Sequence, residues 1–376
     1  MGLGLERSSF RYGMFEDSVL GMRMVLGDGR IVCATPENEG DLFFASFGSY
    51  ASFGILLEVE LKLVRASQNV RVRYERISVQ EAVLGEVLCH PPNEGQVDFC
   101  EGIIFDKATA SRVTAMFLHH KSDSHGNGTL DDQSDNEHNS SLCPTLWALL
   151  SKMLNAWRSF DIQHWRYPWG VFFFEFIASR NVDDWSEDVP TLDYLFRWDR
   201  GAYWCAKLSE RAPLGLFGRI LFGWYFTARR AYAIELASKT NNDFHRLVQD
   251  CCIPKGSRLR RFLDFIDTAL GIYPLWLCPV RGGASGAQNA KRKVFSLPCG
   301  SYCRRSGDCG DEETFFMNVG IYGIPKVFHG QPWHLSYIEG NRALHEATVR
   351  MGGARAYYST SYCTEAEFWR DHDRDT

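Results

Sequence analysis

The stretch Gly2-Leu3-Gly4-Leu5-Glu6-Arg7-Ser8-Ser9-Phe10-Arg11-Tyr12-Gly13 brings three glycines and two adjacent hydroxyls into twelve residues. Glycine admits positive φ and has no Cβ to hold a ligand away, and successive backbone N–H groups in such turns form an anion-binding concavity. A phosphate or a flavin suits such a backbone; a loose terminus of small residues is the plain alternative. Two further pairs carry chemistry. Arg197 and Arg200 are fixed cations that would stabilise the negative charge gathering along the N1–C2=O edge of a reduced flavin, or else an arginine pair tied to Asp193 and Asp199 at the surface. Tyr273 and His245 are a phenol and an imidazole able to give up a proton, or else a packed aromatic and a helix histidine with its bonds satisfied. His119, His120, His125 and His138 fit no compact metal site by spacing, and Cys299, Cys303 and Cys309 lack a paired CxxC and a fourth ligand, so no metal is expected.

The elements that must position these groups are legible around them. Met22-Arg23-Met24-Val25-Leu26, Gly27-Asp28-Gly29 and Arg30-Ile31-Val32-Cys33 read as a hairpin whose Asp-Gly turn supplies positive φ. Thr35-Pro36-Glu37-Asn38-Glu39 reads as the start of a short helix, with a Thr cap and Pro at its first position. Ser49 to Gly54 is a small-residue turn feeding a strand in which Ile55, Leu57, Val59, Leu61 and Leu63 face one way and Glu58, Glu60 and Lys62 the other. Val70 to Tyr74 and Val97 to Phe105 read as strands, Val79 to Val87 and Leu146 to Trp157 as helices, and Val171 to Ile177 as a buried strand. Further on, Arg258 to Leu270 predicts a helix, Phe315 to Gly323 a strand and turn, Leu344 onward a helix and Ala356 to Thr360 a strand. Between His119 and Ser141 a Ser/Asp/Asn-rich tract with almost no apolar residue predicts a disordered loop.

Gly4-x-Glu6-x-Ser8-Ser9-x-x-Tyr12-Gly13-x-Phe15, the Val25-Leu26-x-Asp28-Gly29 hairpin, Asp41-Leu42-Phe43 and the Gly54 turn resemble the second half of the flavin-binding domain of the delta-24 sterol reductases. These are FAD proteins of the vanillyl-alcohol-oxidase (PCMH) type. The run Val189 to Trp204 is similar to a signature of the same family, with Leu195, Phe196 and Trp198 where the family has histidines. Leu221-Phe222-Gly223-Trp224 and Ile272-Tyr273-Pro274-Leu275-Trp276-Leu277-Cys278-Pro279 resemble it as well.

This resemblance implies an α+β protein: residues 1–65 as the C-terminal half of the FAD-binding domain, 66–345 as an α+β substrate cap with the loop at 119–141, and 346–376 as a segment returning toward the flavin domain. It implies FAD contacts at Gly2, Gly4, Glu6, Ser8, Ser9, Tyr12, Gly13, Gly54 and Ile55. The implied activity uses NADPH to reduce the flavin and the flavin to reduce the C24 side-chain double bond of a sterol. Tyr273 or His245 would protonate one carbon while hydride reaches the other. An FAD-linked oxidase of another lipid or alcohol, with dioxygen as acceptor, is the alternative within the fold; a catalytically incomplete fragment is the alternative outside it. The block from Gly2 to Gly13 holds no His or Cys, so non-covalent FAD is expected. The resemblance starts inside the family's flavin domain and stops before its last helical segment. The expectation is a chain truncated at both ends that binds FAD weakly.

Composition narrows the class. A net charge of −5 and a pI near 6.1 argue against a nucleic-acid partner. Twelve cysteines at irregular spacing in 376 residues suit reduced thiols facing the cytosol. No basic segment followed by an apolar run opens the chain, so no signal peptide is expected. Ala212 to Ala228 is the most apolar run, broken by Arg219 and closed by Arg229 and Arg230. It is marginal for a spanning helix, which needs about 20 residues. A helix lying in a membrane surface over 212–230, with basic residues at its end, suits an enzyme of bilayer sterols, and a buried core helix is the alternative. The expected location is the cytosolic face of the endoplasmic reticulum, or the cytoplasm if no anchor exists.

Overall fold

The computed structural model describes residues 9–49, 51–80, 88, 97–118, 163–180, 183–208, 215–230, 233, 246–281, 315–358 and 361–371. Contacts group the chain into two compact units, one of residues 1–117, 180–191 and 234–376, the other of residues 118–179 and 192–233.

The first unit opens with two single-turn helices, Ser9–Tyr12 and Phe15–Ser18, and a small antiparallel sheet. Its strands are β1 (Val19–Leu26), β2 (Ile31–Ala34) and β3 (Gly54–Leu61), with β1 in the middle. The β1–β2 turn follows the Asp-Gly signal: Gly29 has φ +84°, and Asp28 accepts from the Arg30 amide at 3.0 Å. Met22, Met24, Ala34, Phe43, Phe44 and Phe47 form this sheet's core against helix Gly40–Ala45. That helix begins later than expected, because Thr35 caps the Asn38 amide in a turn at 3.0 Å and does not start a helix. The apolar residues of β3 also depart from expectation, since Ile55, Leu57 and Leu61, and Leu63 beyond the strand, are all exposed.

The larger sheet of this unit has eight antiparallel strands. They are β4 (Asn69–Ser78), β5 (Phe99–Ile104), β6 (Thr109–Phe117), β7 (Asp184–Pro190), β8 (Leu247–Pro254), β9 (Leu275–Arg281), β10 (Phe315–Gly323) and, after the minor ribbon β11 (Val327–Phe328) and β12 (Gln331–Pro332), β13 (Ala354–Arg355). Their order across the sheet is β13-β8-β10-β9-β5-β6-β4-β7. A strand's side chains alternate between faces, so each strand feeds two environments. One face carries Leu247, Cys251, Leu275, Leu277, Met317, Val319 and Ile321, in one core with the helices Ser257–Phe265 and Trp333–Arg350. The first of these helices runs on through Leu270 and presents Leu259, Phe262, Leu263, Ile266 and Leu270 at helical spacing. Each such buried side chain contributes about 1.5–3 kcal/mol. Gly271, at φ +57°, ends it and leads into β9. The opposite face of the sheet is polar at its centre, and there the candidate site lies.

The second unit holds helix Phe173–Ser179, the carboxyl end of helix Thr191–Leu195 and helix Leu216–Phe222 with a following 3-10 turn, Gly223–Tyr225. The segment expected as a strand from Val171 is therefore helical. Phe173, Phe174, Phe176 and Ile177 are all buried, and a core that surrounds the element removes the period that would tell helix from strand. The described residues of the run 356–360 are not a strand either: β13 stops at Arg355, and Tyr357-Tyr358 form a turn. The expected helix from Leu344 begins earlier, at Trp333. The predicted loop at 119–141, the predicted helix Leu146 to Trp157, most of the predicted helix Val79 to Val87 and the Cys299, Cys303, Cys309 loop lie outside the described residues.

Candidate active site

The central strands of the large sheet put Asp250 and Trp276 on either side of Gly320, and Cys252 and Cys278 on either side of Asn318. All of these side chains share the face away from the two helices. Asp250 is buried, and three side chains donate to its carboxyl group. Asn318 Nδ2 donates to Oδ1 at 2.9 Å, Tyr322 Oη reaches Oδ1 at 2.8 Å and Oδ2 at 3.0 Å, and the Tyr358 hydroxyl donates to Oδ2. A Cβ at position 320 would sit 2.8 Å from the Tyr322 hydroxyl, so glycine there is what lets the phenol cross to Asp250. Among the described residues Asp250 has no ion-pair partner. Burial pushes its pKa up, against the three hydrogen bonds that favour the charged form. Cys252 beside it is a buried thiol whose pKa is also raised, by burial and then by Asp250. In the same row as Asp250, Trp276 Nε1 donates to the buried Glu101 at 2.8 Å. A carboxyl group with a raised pKa, linked through a tyrosine to accessible surface, can hold a proton and pass it on.

The sequence marks none of these residues as an acid or base, although Trp276 and Cys278 fall in the octapeptide and Asn318, Gly320 and Tyr322 in the strand Phe315 to Gly323. Asp250 is there only one polar position in the run after His245, and its three donors lie 68, 72 and 108 residues away. Tyr273 itself packs against the helix-covered core, on the other face from Asp250. Its hydroxyl donates to Asp267 at 3.0 Å, and Asp267 also pairs with Lys107 at 2.8 Å. Burial first, and Asp267 second, raise the phenol's pKa, so it gives up a proton less readily than a free tyrosine. His245 lies outside the described residues.

Arg197 and Arg200 belong to the second unit, and both are engaged with the protein itself. Arg197 is buried, donating to the Tyr194 carbonyl at 2.6 Å and the Tyr194 hydroxyl at 3.1 Å. Arg200 gathers the carbonyls of Trp165, Tyr167, Pro168, Gly170 and Val171, which holds the 165–171 loop in one shape. Burial pulls its pKa down to about 10, still charged at neutral pH. Asp193, the expected partner, pairs with Arg166 at 2.9 Å. An open pocket of about 290 Å³ within this unit is lined by Trp165, Arg166, Leu192, Phe196, Arg197 and Trp224 among others.

Of the glycine–serine block, Gly2, Gly4, Glu6 and Ser8 lie outside the described residues, and Ser9 begins the first helix. Gly13 has φ +77°, and the Asp17 carboxylate accepts from the next amide, Met14, at 2.8 Å. Tyr12 lies under the Arg11 guanidinium, which pairs with Asp98 at 2.9 Å. Gly54 is required by the sheet, since a Cβ there would meet the Val25 carbonyl at 2.4 Å, and Ile55 is 69% exposed. The described residues of the block are thus engaged within the protein itself.

No protein-family model matches the chain. It is 25% identical over 385 residues to the human delta(24)-sterol reductase, covering 99% of this chain and 62% of the relative. It is 26% identical over 383 residues to the delta(24)-sterol reductase of Arabidopsis thaliana, covering 98% and 61%. Over 102 residues, 27% of this chain and 19% of the relative, it is 32% identical to cytokinin dehydrogenase 3 of Arabidopsis thaliana. The chain spans about three fifths of the length of the sterol reductases it matches. Similarity along nearly its whole length to reductases from animals and plants makes this chain a homologue of the delta(24)-sterol reductases.

Proposed function

We propose that the chain forms part of an FAD-linked oxidoreductase of the PCMH type that reduces the C24 side-chain double bond of a sterol with electrons from NADPH. The observation carrying this reading is similarity to delta(24)-sterol reductases along 98–99% of the chain. The local likeness to a cytokinin dehydrogenase favours a flavoprotein scaffold as well. Non-covalently bound FAD would supply the hydride. This chain's own residues would supply a proton and a surface for a lipid substrate.

The second unit is suited to that surface. None of the side chains of helix Leu216–Phe222 is buried, and Phe217 is 78% exposed. Leu192, Phe196, Leu221, Phe222 and Trp224 are exposed in the same unit, and the Arg230 guanidinium stacks 4.2 Å from the Tyr225 ring centroid. Apolar side chains edged by arginines are the pattern of a helix that lies in a lipid headgroup layer. Among the described residues no helix is long and apolar enough to cross a membrane. The favoured location is a cytosol-facing membrane surface such as that of the endoplasmic reticulum.

A visible spectrum of the purified protein supplied with FAD tests the reading. Flavin bands bleached by NADPH without oxygen support the reductase. Bands that NADPH leaves unchanged favour an oxidase of another lipid or alcohol, and no bound flavin at all favours an incomplete fragment.

A further inference from the structure

We propose that Tyr358 is the acid that protonates the substrate alkene and that Asp250 is the buried proton store behind it. The proposal rests on the reductase reading above. Reducing a carbon–carbon double bond needs a hydride on one carbon and a proton on the other. The hydride, from a donor of the reduced-flavin class, brings the electron pair. The O–H bond of Tyr358 breaks as the new C–H bond forms, and the phenolate takes the carboxyl proton of Asp250 through the hydrogen bond joining them. Asp250 is left as a carboxylate that Tyr322 and Asn318 already face as donors, and solvent returns the proton by way of Tyr358.

The geometry distinguishes these two residues. Tyr358 sits in a turn at the end of the sheet and is 47% exposed, whereas the carboxyl group it touches is buried. One residue thus connects a buried acid to a surface that a ligand can reach. The surroundings are arranged around a group that changes charge. From β10 Asp250 meets Tyr322 and Asn318, from its own strand Cys252, and from the turn Tyr358, while its backbone carbonyl accepts from the Ala356 amide at 2.9 Å. Arg355, the cation on the adjoining strand, is in register with Cys251 and so belongs to the other face. Tyrosines can turn their hydroxyls to accept as well as donate, so Tyr322 and Tyr358 satisfy Asp250 in both protonation states. Tyr273, by contrast, touches the ionisable Asp267 on the opposite side of the sheet.

Infrared spectroscopy of the whole chain with aspartate carrying a carbon-13 carboxyl group reads the stored proton directly. At pH 7 the wild type is expected to show the isotope-shifted carbonyl band of a protonated carboxylic acid, displaced in D2O and lost in Asp250→Asn. Tyr358→Phe is expected to keep the band at a shifted frequency, to stay folded, and to slow sterol reduction by roughly 10²–10⁴-fold. Should Asp250→Asn fail to fold, the isotope label assigns the band in the wild type together with Tyr322→Phe, which shifts the band without abolishing it. A wild type with no such band at pH 7 overturns the proton store. A Tyr358→Phe variant that reduces sterol at the wild-type rate overturns the delivery step. A wild type that has the band but reduces no sterol refutes the functional reading, and the delivery step with it.

Discussion

Tyr322 reaches Asp250 by passing over Gly320, with its hydroxyl 2.8 and 3.0 Å from the two carboxyl oxygens. A residue on one strand thereby bonds the neighbouring strand one row away because the residue between has no side chain. Replacing Gly320 by alanine puts a methyl carbon 2.8 Å from the hydroxyl oxygen, so the phenol must move. Gly320→Ala should cost about 1–3 kcal/mol in urea unfolding, from crowding and a lost bond to a buried acid. A neutral outcome would mean that the ring has another rotamer with the same contact.

Asp250 should also impose a sign on the pH dependence of stability. Its native pKa is raised, so between the ordinary aspartate value of about 3.9 and that raised value the folded protein holds a proton that the unfolded chain has released. Stability then falls as pH rises through the window. Asp250→Asn cannot release a proton, so wild type minus variant stability should decline from pH 4 upward and level off above the native pKa. A difference that stays flat, or grows with pH, would show that Asp250 is ionised in the native state.

The same cluster shows where the sequence is readable and where it is not. The hairpin at Asp28-Gly29, the helix from Arg258 and the strands holding Val72, Ile103 and Val319 follow from local signals of turn chemistry and period, and they are in place. Val171 to Ile177 went the other way because a run of aromatic residues has high strand propensity, and only the packing of Phe173, Phe174 and Phe176 on several sides reveals a helix. Asp250 was invisible for a different reason: its character comes from donors brought in by long-range strand pairing. Arg197 and Arg200 stand out in sequence as charge, yet carbonyl geometry decides what that charge does.

Arg200 illustrates that point as a prediction. Five carbonyls converge on one guanidinium, and a lysine ammonium has three donors and no planar fork. Arg200→Lys should destabilise the second unit by about 3 kcal/mol or more, read as faster limited proteolysis within 163–180. Unchanged proteolysis would show that the loop holds its shape without the fork.

Leu221 and Phe222 are exposed on the short apolar helix, so glutamate at both positions buries no charge in a core. The double variant should melt as the wild type does and lose binding to liposomes in a flotation assay. Loss of the fold would instead place this helix in a core, and retained binding would move the membrane contact elsewhere.

The most direct test of the proposed activity is an anaerobic titration. Protein supplied with FAD is bleached with one equivalent of NADPH, and a sterol bearing a C24 side-chain double bond is then added while flavin absorbance is followed. The account predicts that the flavin bands return in proportion to the sterol added and that the sterol is recovered with a saturated side chain. Bands that stay bleached until oxygen is admitted, with the sterol recovered unchanged, would contradict it.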